Sequence, residues 1–179
     1  MKENTDTTSV YAQPVIDMLT VSAEYCLLLE KLNEQGTTRD QLLQQITKVL
    51  PLLYVKAALL PEMEPQPLIG ELPEAVTEDD YEDIRKSVWQ LFKEDDEYLE
   101  VFTPDMQYSE GAVTHTISED LADIYQDLKN FVAIYADRNE DAMADAITRV
   151  ADNFKTYWGQ RLVNVMRPLH ELCYNNNNK

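Results

Sequence analysis

Five carboxylates in the middle of the sequence are spaced in a way that suits a divalent cation. Asp96, Glu97 and Glu100 come first, and Asp120 and Asp123 follow after an interval of nineteen residues, 101 to 119. Side chains three or four residues apart share one face of a helix, so two antiparallel helices can bring two such groups together. Carboxylate oxygens are the ligands that Mg²⁺ takes in proteins. This spacing predicts a Mg²⁺ site whose ligands are Glu97, Glu100, Asp120 and Asp123.

The same residues resemble the acidic signature of the all-α nucleoside triphosphate pyrophosphatases, the MazG-like and dUTPase-like enzymes. That signature reads E-E-x-x-E, then a spacer, then E-x-x-D. Here Asp96 and Asp120 stand at two of its glutamate positions, and Pro104 comes directly after the first half. The resemblance covers residues 96–123, and it implies a Mg²⁺-dependent nucleotide hydrolase as an alternative function.

The acidic run KEDDEYLEVF, residues 93–102, has two other interpretations. A run of like charges is typical of a solvated helix end. It is also typical of a docking surface for a Lys- and Arg-rich partner, because residues 74–105 hold twelve acids against three bases. In either case we expect Val101 and Phe102 to point inward.

Other catalytic and metal-binding patterns are missing from the sequence. It has no GxSxG, no CxxC and no glycine-rich phosphate loop, and neither His115 nor His170 has a glutamate three residues before it. Cys26 and Cys173 lie among apolar residues, which favours two buried reduced thiols. We therefore predict no catalytic residues and no cofactor, apart from the Mg²⁺ alternative.

Apolar residues recur at spacings of three and four throughout, which predicts an all-α fold with five helices packed as one bundle. The predicted helix starts are Pro14 for the first helix, Thr38 with Gln41 for the second, Thr77 for the third, either Thr116 with Glu119 or Ser118 alone for the fourth, and Asn139 for the fifth. We expect the third helix to continue into residues 93–102.

Six prolines and a glycine bear on where these helices bend or end. Pro51 predicts a kink or a restart in the second helix, because proline has no N–H to donate. A straight fifth helix would be about 50 Å long, too long for a compact domain, so we expect a bend at Gly159 or a break before Pro168. Residues 61–76 contain four prolines and predict an extended connection between the second and third helices.

The ends of the chain suggest where the folded domain stops. We expect a disordered polar segment at 1–9, one helical domain at 10–174 and a disordered asparagine-rich tail at 175–179. Most of the ten tyrosines coincide with the apolar stripes, where they would fill the edge of the core. Tyr98, Tyr108 and Tyr174 do not, and they are the better candidates to line a groove.

Charge limits the range of partners. The chain of 179 residues carries 33 acids and 15 bases, a net charge of −18, which argues against nucleic acid and anionic membranes and favours basic partners. No stretch is apolar enough to span a bilayer, and the first residues lack the apolar core of a secretion signal, so we expect a cytoplasmic protein.

Three segments, YAQPVIDMLTVSAEYCLLLE, LPLLYVKAALLP and YWGQRLVNVMRPLHEL, together resemble an uncharacterised bacterial family known as a domain of unknown function. The resemblance extends from Tyr11 to Leu172. It implies a small cytosolic bacterial protein without an assigned activity, and it transfers no functional residue. The first functional hypothesis is a non-enzymatic helical module that binds a basic protein, or itself, and the alternative is the Mg²⁺-dependent hydrolase.

Overall fold

The structure is a computed structural model that describes residues 9–33, 36–63, 72–100 and 113–175. Its regular elements, in chain order, are α1 (Gln13–Glu30), α2 (Arg39–Ala58), α3 (Glu78–Phe92), β1 (Glu97–Glu100), β2 (Val113–Thr116), α4 (Ile117–Ala136), α5 (Glu140–Asn153) and α6 (Gly159–Tyr174). A π-helical segment, Phe154–Trp158, joins α5 to α6 without a gap, so these three form one long helix, and the described residues form five helices. Helices account for 78% of the described residues, which confirms a mostly helical fold.

The predicted helix caps are present. The Thr38 hydroxyl accepts from the backbone N–H of Gln41, and the Gln41 side chain accepts from the backbone N–H of Thr38. Thr77 and Asp80 form the same reciprocal pair at the start of α3. These contacts satisfy N–H groups that the first helical turn leaves without partners, so they fix where α2 and α3 begin.

Helix α4 lies in the middle of the packing and contacts α1, α3, α5 and α6. The apolar stripe predicted for it is buried, with Leu121, Ile124 and Leu128 fully inaccessible to solvent. Trp158, from the π-helical segment, is also fully buried and donates its indole N–H to the Val150 carbonyl at 3.0 Å. The five helices therefore share one apolar core.

The prediction of an all-α fold is wrong for the acidic run. Helix α3 ends at Phe92, which is buried, and Lys93 takes a positive φ of 49° that an α-helix cannot contain. A short 3₁₀ turn, Lys93–Asp95, follows, and then β1 pairs with β2 in an antiparallel two-stranded sheet. Strand β2, which pairs with β1, lies beyond residue 112, so the pattern of residues within the acidic run could not indicate the pairing. The predicted inward position of Val101 and Phe102 lies outside the described residues.

The prolines inside α2 and α6 interrupt neither helix. Helix α2 continues through Pro51 and α6 through Pro168, so the predicted restart and break do not occur. The departure from regular α-helix lies instead directly before Gly159, in the π-helical segment. A π turn accommodates an extra residue, and here it lies directly before the only glycine of the long helix.

The remaining predictions fall partly outside the described residues. Residues 61–63 and 72–77 have no regular secondary structure, whereas 64–71 are outside the described part, as are 1–8 and 176–179. Cys26 and Cys173 are both free, and only Cys26 is fully buried. Among the described helices, none has the length and apolar character needed to cross a bilayer.

Candidate functional site

A cluster of polar side chains lies between the β-hairpin, α4 and α6. Side chains alternate between the two faces of a strand, so Tyr98 and Glu100 of β1 point to the same side as His115 of β2. The other members come from α3, α4, the π-helical segment and α6. We call this set the polar cluster, and its members are Tyr81, Tyr98, Glu100, His115, Asp120, Asp123, Tyr157, Arg161 and Asn164.

Asp120 is the most deeply buried charged group of the cluster. Its carboxylate is fully inaccessible to solvent and accepts from the Tyr98 hydroxyl, while Nη1 of Arg161 lies 3.4 Å from its Oδ1. Burial raises the pKa of Asp120 to about 7, against the smaller lowering effects of Tyr98 and Arg161. Burial and the neighbouring Asp120 also raise the pKa of Tyr98 well above its usual value. The pair therefore holds a proton in a water-poor site.

Asp123, one turn further along α4, is held by two phenols and a guanidinium. Tyr81 donates to its Oδ1 at 2.9 Å and Tyr157 donates to its Oδ2 at 2.7 Å. The Nε of Arg161 lies 3.5 Å from Oδ2. Burial and the contact with Asp123 raise the pKa of Tyr157 to about 12. Both oxygens of this carboxylate therefore have donors within the protein.

Arg161 links the two aspartates to the hairpin. Its Nη1 lies 2.6 Å from Nδ1 of His115, and Nε2 of His115 lies 2.5 Å from Oε2 of Glu100. A guanidinium has no acceptor, so Nδ1 must accept and the ring proton must reside on Nε2, from which it is donated to Glu100. The side-chain amide of Asn164 donates to the other oxygen of Glu100. The chain of contacts runs without a gap from α4 through α6 to both strands.

The predicted Mg²⁺ ligands are only partly brought together. Glu100, Asp120 and Asp123 all belong to the polar cluster, but Glu97 is exposed on the opposite face of β1. Arg161 occupies the position between the two aspartates that a cation would need. Within the described ranges, no group of three or more His, Cys, Asp or Glu side chains is arranged to hold a metal ion. The metal site remains a prediction that would require Arg161 to move.

Asp96, which resembles part of the metal signature, has a different position. It is buried, with 1% of its surface exposed, and its Oδ1 accepts from the backbone N–H of Ser118 at 2.8 Å. Its Oδ2 accepts from the Ser118 hydroxyl at 2.7 Å. A carboxylate at the first turn of α4 satisfies free N–H groups and suits the helix dipole. Asp96 therefore joins the end of α3 to the start of α4.

A cleft of about 720 Å³ opens beside the polar cluster, between β1 and α6. Tyr98 and Asn164 line it from the cluster side. Leu99 and Val163, which are 62% and 54% exposed, supply apolar surface. Arg167, Pro168 and Glu171 of α6 complete the wall. Tyr98 thus lines a groove, as the sequence predicts, whereas Tyr108 lies outside the described residues.

Sequence reasoning missed His115, Arg161 and Asn164 as members of the site. A signal for His115 exists in VTHT, where period-two alternation of a short strand is visible once a pairing partner is assumed. Arg161 and Asn164 are three residues apart, which places them on one face of the helix. Neither signal shows which carboxylates these residues contact.

Comparison with known proteins gives a family but no function. The family model described as "Domain of unknown function (DUF5063)" matches residues 9–175. The chain belongs to this DUF5063 family. The match confirms the resemblance inferred from the sequence, and it extends over almost the whole chain. Among curated proteins, none matches the chain.

A similar solved structure supports the fold. The crystal structure of protein BF1032 from Bacteroides fragilis is similar to this DUF5063 chain, with 35% sequence identity and a TM-score of 0.79. The similarity covers 95% of this chain and 98% of that one. The overall fold is thus shared with a protein of comparable length.

Proposed function

We propose that the protein is a non-enzymatic module that binds a basic partner protein through the outward surface of α3 and the turn after it. The observation that carries this proposal is a set of exposed carboxylates beside a half-exposed tryptophan. We call this set the acidic surface, and its members are Glu78, Asp79, Asp83, Trp89 and Glu94.

The carboxylates of the acidic surface are available to a partner. Ion pairs of this region use Glu82, which contacts Arg85 and Lys86, and Asp95, which contacts Arg39. None of the four acidic members forms an ion pair within the described part of the chain. Residues 78–95 hold seven acids and three bases, a net charge of −4. A basic partner would therefore meet uncompensated negative charge.

Trp89 lies on the same side of α3 as these acids. At 100° per residue, Glu78, Asp79, Asp83 and Trp89 fall within an arc of about 140° around the helix axis. Trp89 is 50% exposed, which is unusual for so large an apolar group. Tryptophan is enriched among the residues that contribute most to protein interfaces. An exposed tryptophan on the same side of a helix as exposed acids is an arrangement that fits protein recognition.

A capture experiment with matched charge reversals tests the proposal. The whole chain would be immobilised and exposed to lysate of the native host, as wild type, as Glu78→Lys with Asp79→Lys, and as Glu140→Lys with Asp141→Lys. Both pairs occupy the exposed first turn of a capped helix, α3 or α5, so their effects on stability should be similar. We expect a basic protein that is retained by the wild type and the α5 variant and lost by the α3 variant.

Salt and Trp89→Ala give further checks. Retention should fall between about 50 mM and about 500 mM salt, because screening shortens the range of surface charges. Trp89→Ala should weaken retention without a change in salt dependence. Equal capture by the α3 and α5 variants would contradict the proposal.

One observation favours a second candidate, the Mg²⁺-dependent hydrolase. Asp120 and Asp123 both lie against Arg161, and Glu100 is linked to that guanidinium through His115. A cation that binds only the folded state raises its stability. Thermal unfolding with Mg²⁺, Mn²⁺ and nucleotides would therefore show an increased midpoint for this candidate, and an unchanged midpoint would argue against it.

We also propose that the five helices form a single bundle domain over residues 10–174, with an extended proline-rich connection at 61–76. Limited proteolysis tests this organisation. Cleavage should concentrate within 61–76 and at the two ends of the chain, and early cuts inside α4 would contradict it.

A further inference from the structure

Strand β1 has one edge that no described strand covers. The described sheet has two strands. Directly before β1, the Ile117 N–H donates to the Asp96 carbonyl at 2.8 Å, and this contact shows which of the opposite residue pairs are hydrogen-bonded. In an antiparallel pair, directly opposite residues alternate between bonded and non-bonded pairs. With the register Glu97 to Thr116, the bonded pairs involve Asp96, Tyr98 and Glu100 of this strand.

The backbone groups of Glu97 and Leu99 consequently point away from β2. Their N–H and C=O groups lie along the outer edge of β1, and Leu99 also lines the 720 Å³ cleft. An uncovered strand edge is a template for pairing with another extended chain. The outer edge of β1 thus borders the cleft at Leu99, and its outward N–H and C=O groups have the arrangement of half a β-ladder.

The opposite wall of the cleft, α6, offers apolar contacts and one further acceptor. Val163 and Pro168 face the cleft. Pro168 has no N–H, so the carbonyl of Asn164, four residues earlier, lacks the partner that a regular helix would give it. Arg167 and Glu171 of the same wall are four residues apart with opposite charges, so together they add no net charge.

We propose that the cleft binds an extended peptide segment of a partner protein, which adds to the outer edge of β1 as a third strand. Main-chain hydrogen bonds to Leu99 would provide affinity, and alternate side chains would provide specificity. This inference rests on the proposed protein-binding function and gives the partner a conformation, since β1 directly follows the acidic surface along the chain.

The alternation of side chains defines the sequence that fits. A peptide residue opposite Leu99 points to the outer face of the sheet, where Glu97 is exposed, so it should be basic. The residues on either side of it point toward α6, where they would contact Val163 and Pro168, so they should be apolar. The expected ligand is an extended segment in which apolar and basic residues alternate.

The probe is an acetylated and amidated nonapeptide of alternating valine and lysine. A peptide with five valines followed by four lysines has the same composition and charge and serves as its control. Isothermal calorimetry with the whole protein should detect the alternating peptide and show weaker or no binding of the block peptide, because only the alternating one can present both faces correctly.

Two substitutions at one position isolate the backbone contact. Leu99→Pro removes an N–H that points away from β2, a place where edge strands tolerate proline, and it also removes the leucine side chain from the cleft. Leu99→Thr keeps the N–H and suits a strand. We expect Leu99→Pro to weaken peptide binding about tenfold and Leu99→Thr to leave it within about twofold, because one hydrogen bond contributes about that much.

Amide hydrogen exchange of the wild type provides a measurement that does not depend on a variant. The Leu99 N–H should exchange quickly in the free protein and slowly with the alternating peptide, whereas the Tyr98 N–H should be slow in both. The inference is overturned by a lack of peptide binding, by equal binding of the Leu99→Pro protein, or by a Leu99 amide that is already protected. If the α3 charge reversal still abolishes capture of the native partner, the proposed function survives that failure.

Discussion

Arg161 of α6 donates a hydrogen bond to Nδ1 of His115 on β2, with 2.6 Å between the nitrogens. Because Nδ1 accepts, the imidazole is neutral and its proton lies on Nε2, 2.5 Å from Glu100. The histidine is thus a bridge between a cation and a carboxylate, and protonation at Nδ1 would turn its contact with Arg161 into a repulsion. Together with the hydrogen bond from Asn164 to Glu100, this ring joins the hairpin to α6.

The first prediction concerns this tautomer. Two-bond ¹⁵N–¹H correlation spectra at neutral pH should show His115 with its proton on Nε2, because Arg161 blocks the other nitrogen. In Arg161→Gln, whose amide can donate or accept, the Nδ1 signal should shift or the two tautomers should mix. His170, which packs against Tyr174 near the chain end, provides an internal reference that should not change. A proton on Nδ1 of His115 in the wild type would contradict the assigned network.

The second prediction is that Arg161 stabilises the fold mainly by neutralising buried carboxylates. Arg161→Met leaves Asp120 and Asp123 without their shared cation, so the free energy of unfolding should fall by about 3 kcal/mol. Adding Asp123→Asn to that variant should recover part of the loss, because it removes one of the unpaired charges.

Chemical denaturation of the four proteins of this cycle provides the measurement. Asp123→Asn alone should destabilise the otherwise unchanged chain, since Arg161 is then left with one aspartate fewer. Additive effects of the two substitutions would show that Arg161 and Asp123 do not interact, and would contradict the prediction.

The third prediction is a pH dependence caused by Asp120. Burial raises its pKa from 3.8 to about 7, so between these values the folded chain holds a proton that the unfolded chain releases. The contribution of Asp120 to the free energy of unfolding is therefore complete below about pH 4 and is lost as the pH rises through about 7. The shift corresponds to at most about 4 kcal/mol of unfolding free energy.

Asp120→Asn should flatten this part of the stability curve. Urea unfolding at several values between about pH 4 and about pH 8 would show it as the difference between variant and wild type. Asp79→Asn removes an exposed carboxylate of α3 and should keep the wild-type slope. If the unfolding free energy of the Asp120→Asn protein depends on pH as steeply as that of the wild type, another group carries the proton.

The parts of the fold set by local chemistry are predictable from the sequence. The caps at Thr38 and Thr77 depend on residues three positions apart, and the apolar stripe of α4 depends on a repeat within one segment. The hairpin is missed because β1 has four residues and its partner begins after residue 112. An alternation over only four residues does not distinguish a strand from a helix unless the pairing strand is known.

The candidate site is predictable only in its acids. The spacing of Asp120 and Asp123 correctly places them on one helix face, but it says nothing of the cation that they contact. Arg161 lies 38 residues beyond Asp123 and reaches it only through the packing of α4 against α6. Long-range contacts of this kind depend on which helices become neighbours, and a single sequence contains no direct signal for that.

The fourth prediction separates one buried acid from its exposed neighbours. Asp96→Ala removes both acceptors of Ser118 at the start of α4, so the free energy of unfolding should fall by about 2 kcal/mol. Asp95→Ala is the matched control, because Asp95 precedes it directly and its side chain is 48% exposed in an ion pair with Arg39. That change should cost less than about 1 kcal/mol. Equal losses, measured by denaturant unfolding, would show that the contact with Ser118 contributes little.

The last prediction concerns Gly159, where two general rules predict opposite signs. Alanine is the better helix former, by about 1 kcal/mol, so helix propensity alone predicts that Gly159→Ala stabilises the protein. A Cβ atom at this position would lie 2.2 Å from the Phe154 carbonyl oxygen and 2.8 Å from the Phe154 ring, however. The contact involves the backbone, which cannot move aside as a flexible side chain can. We expect a net loss of about 2 kcal/mol.

Gly36 provides the comparison for Gly159. It has a φ of +60°, and a Cβ atom added there would have no neighbour within 4 Å, so Gly36→Ala should cost about 1 kcal/mol through backbone conformation alone. Asparagine tolerates that conformation, so Gly36→Asn should recover much of the loss. Asparagine should not recover stability at position 159, because there the added Cβ atom would clash with the Phe154 carbonyl oxygen whatever the side chain. Thermal and denaturant unfolding of the three variants would decide the matter, and a stabilised Gly159→Ala protein would mean that the π-helical segment can relax to a regular helix.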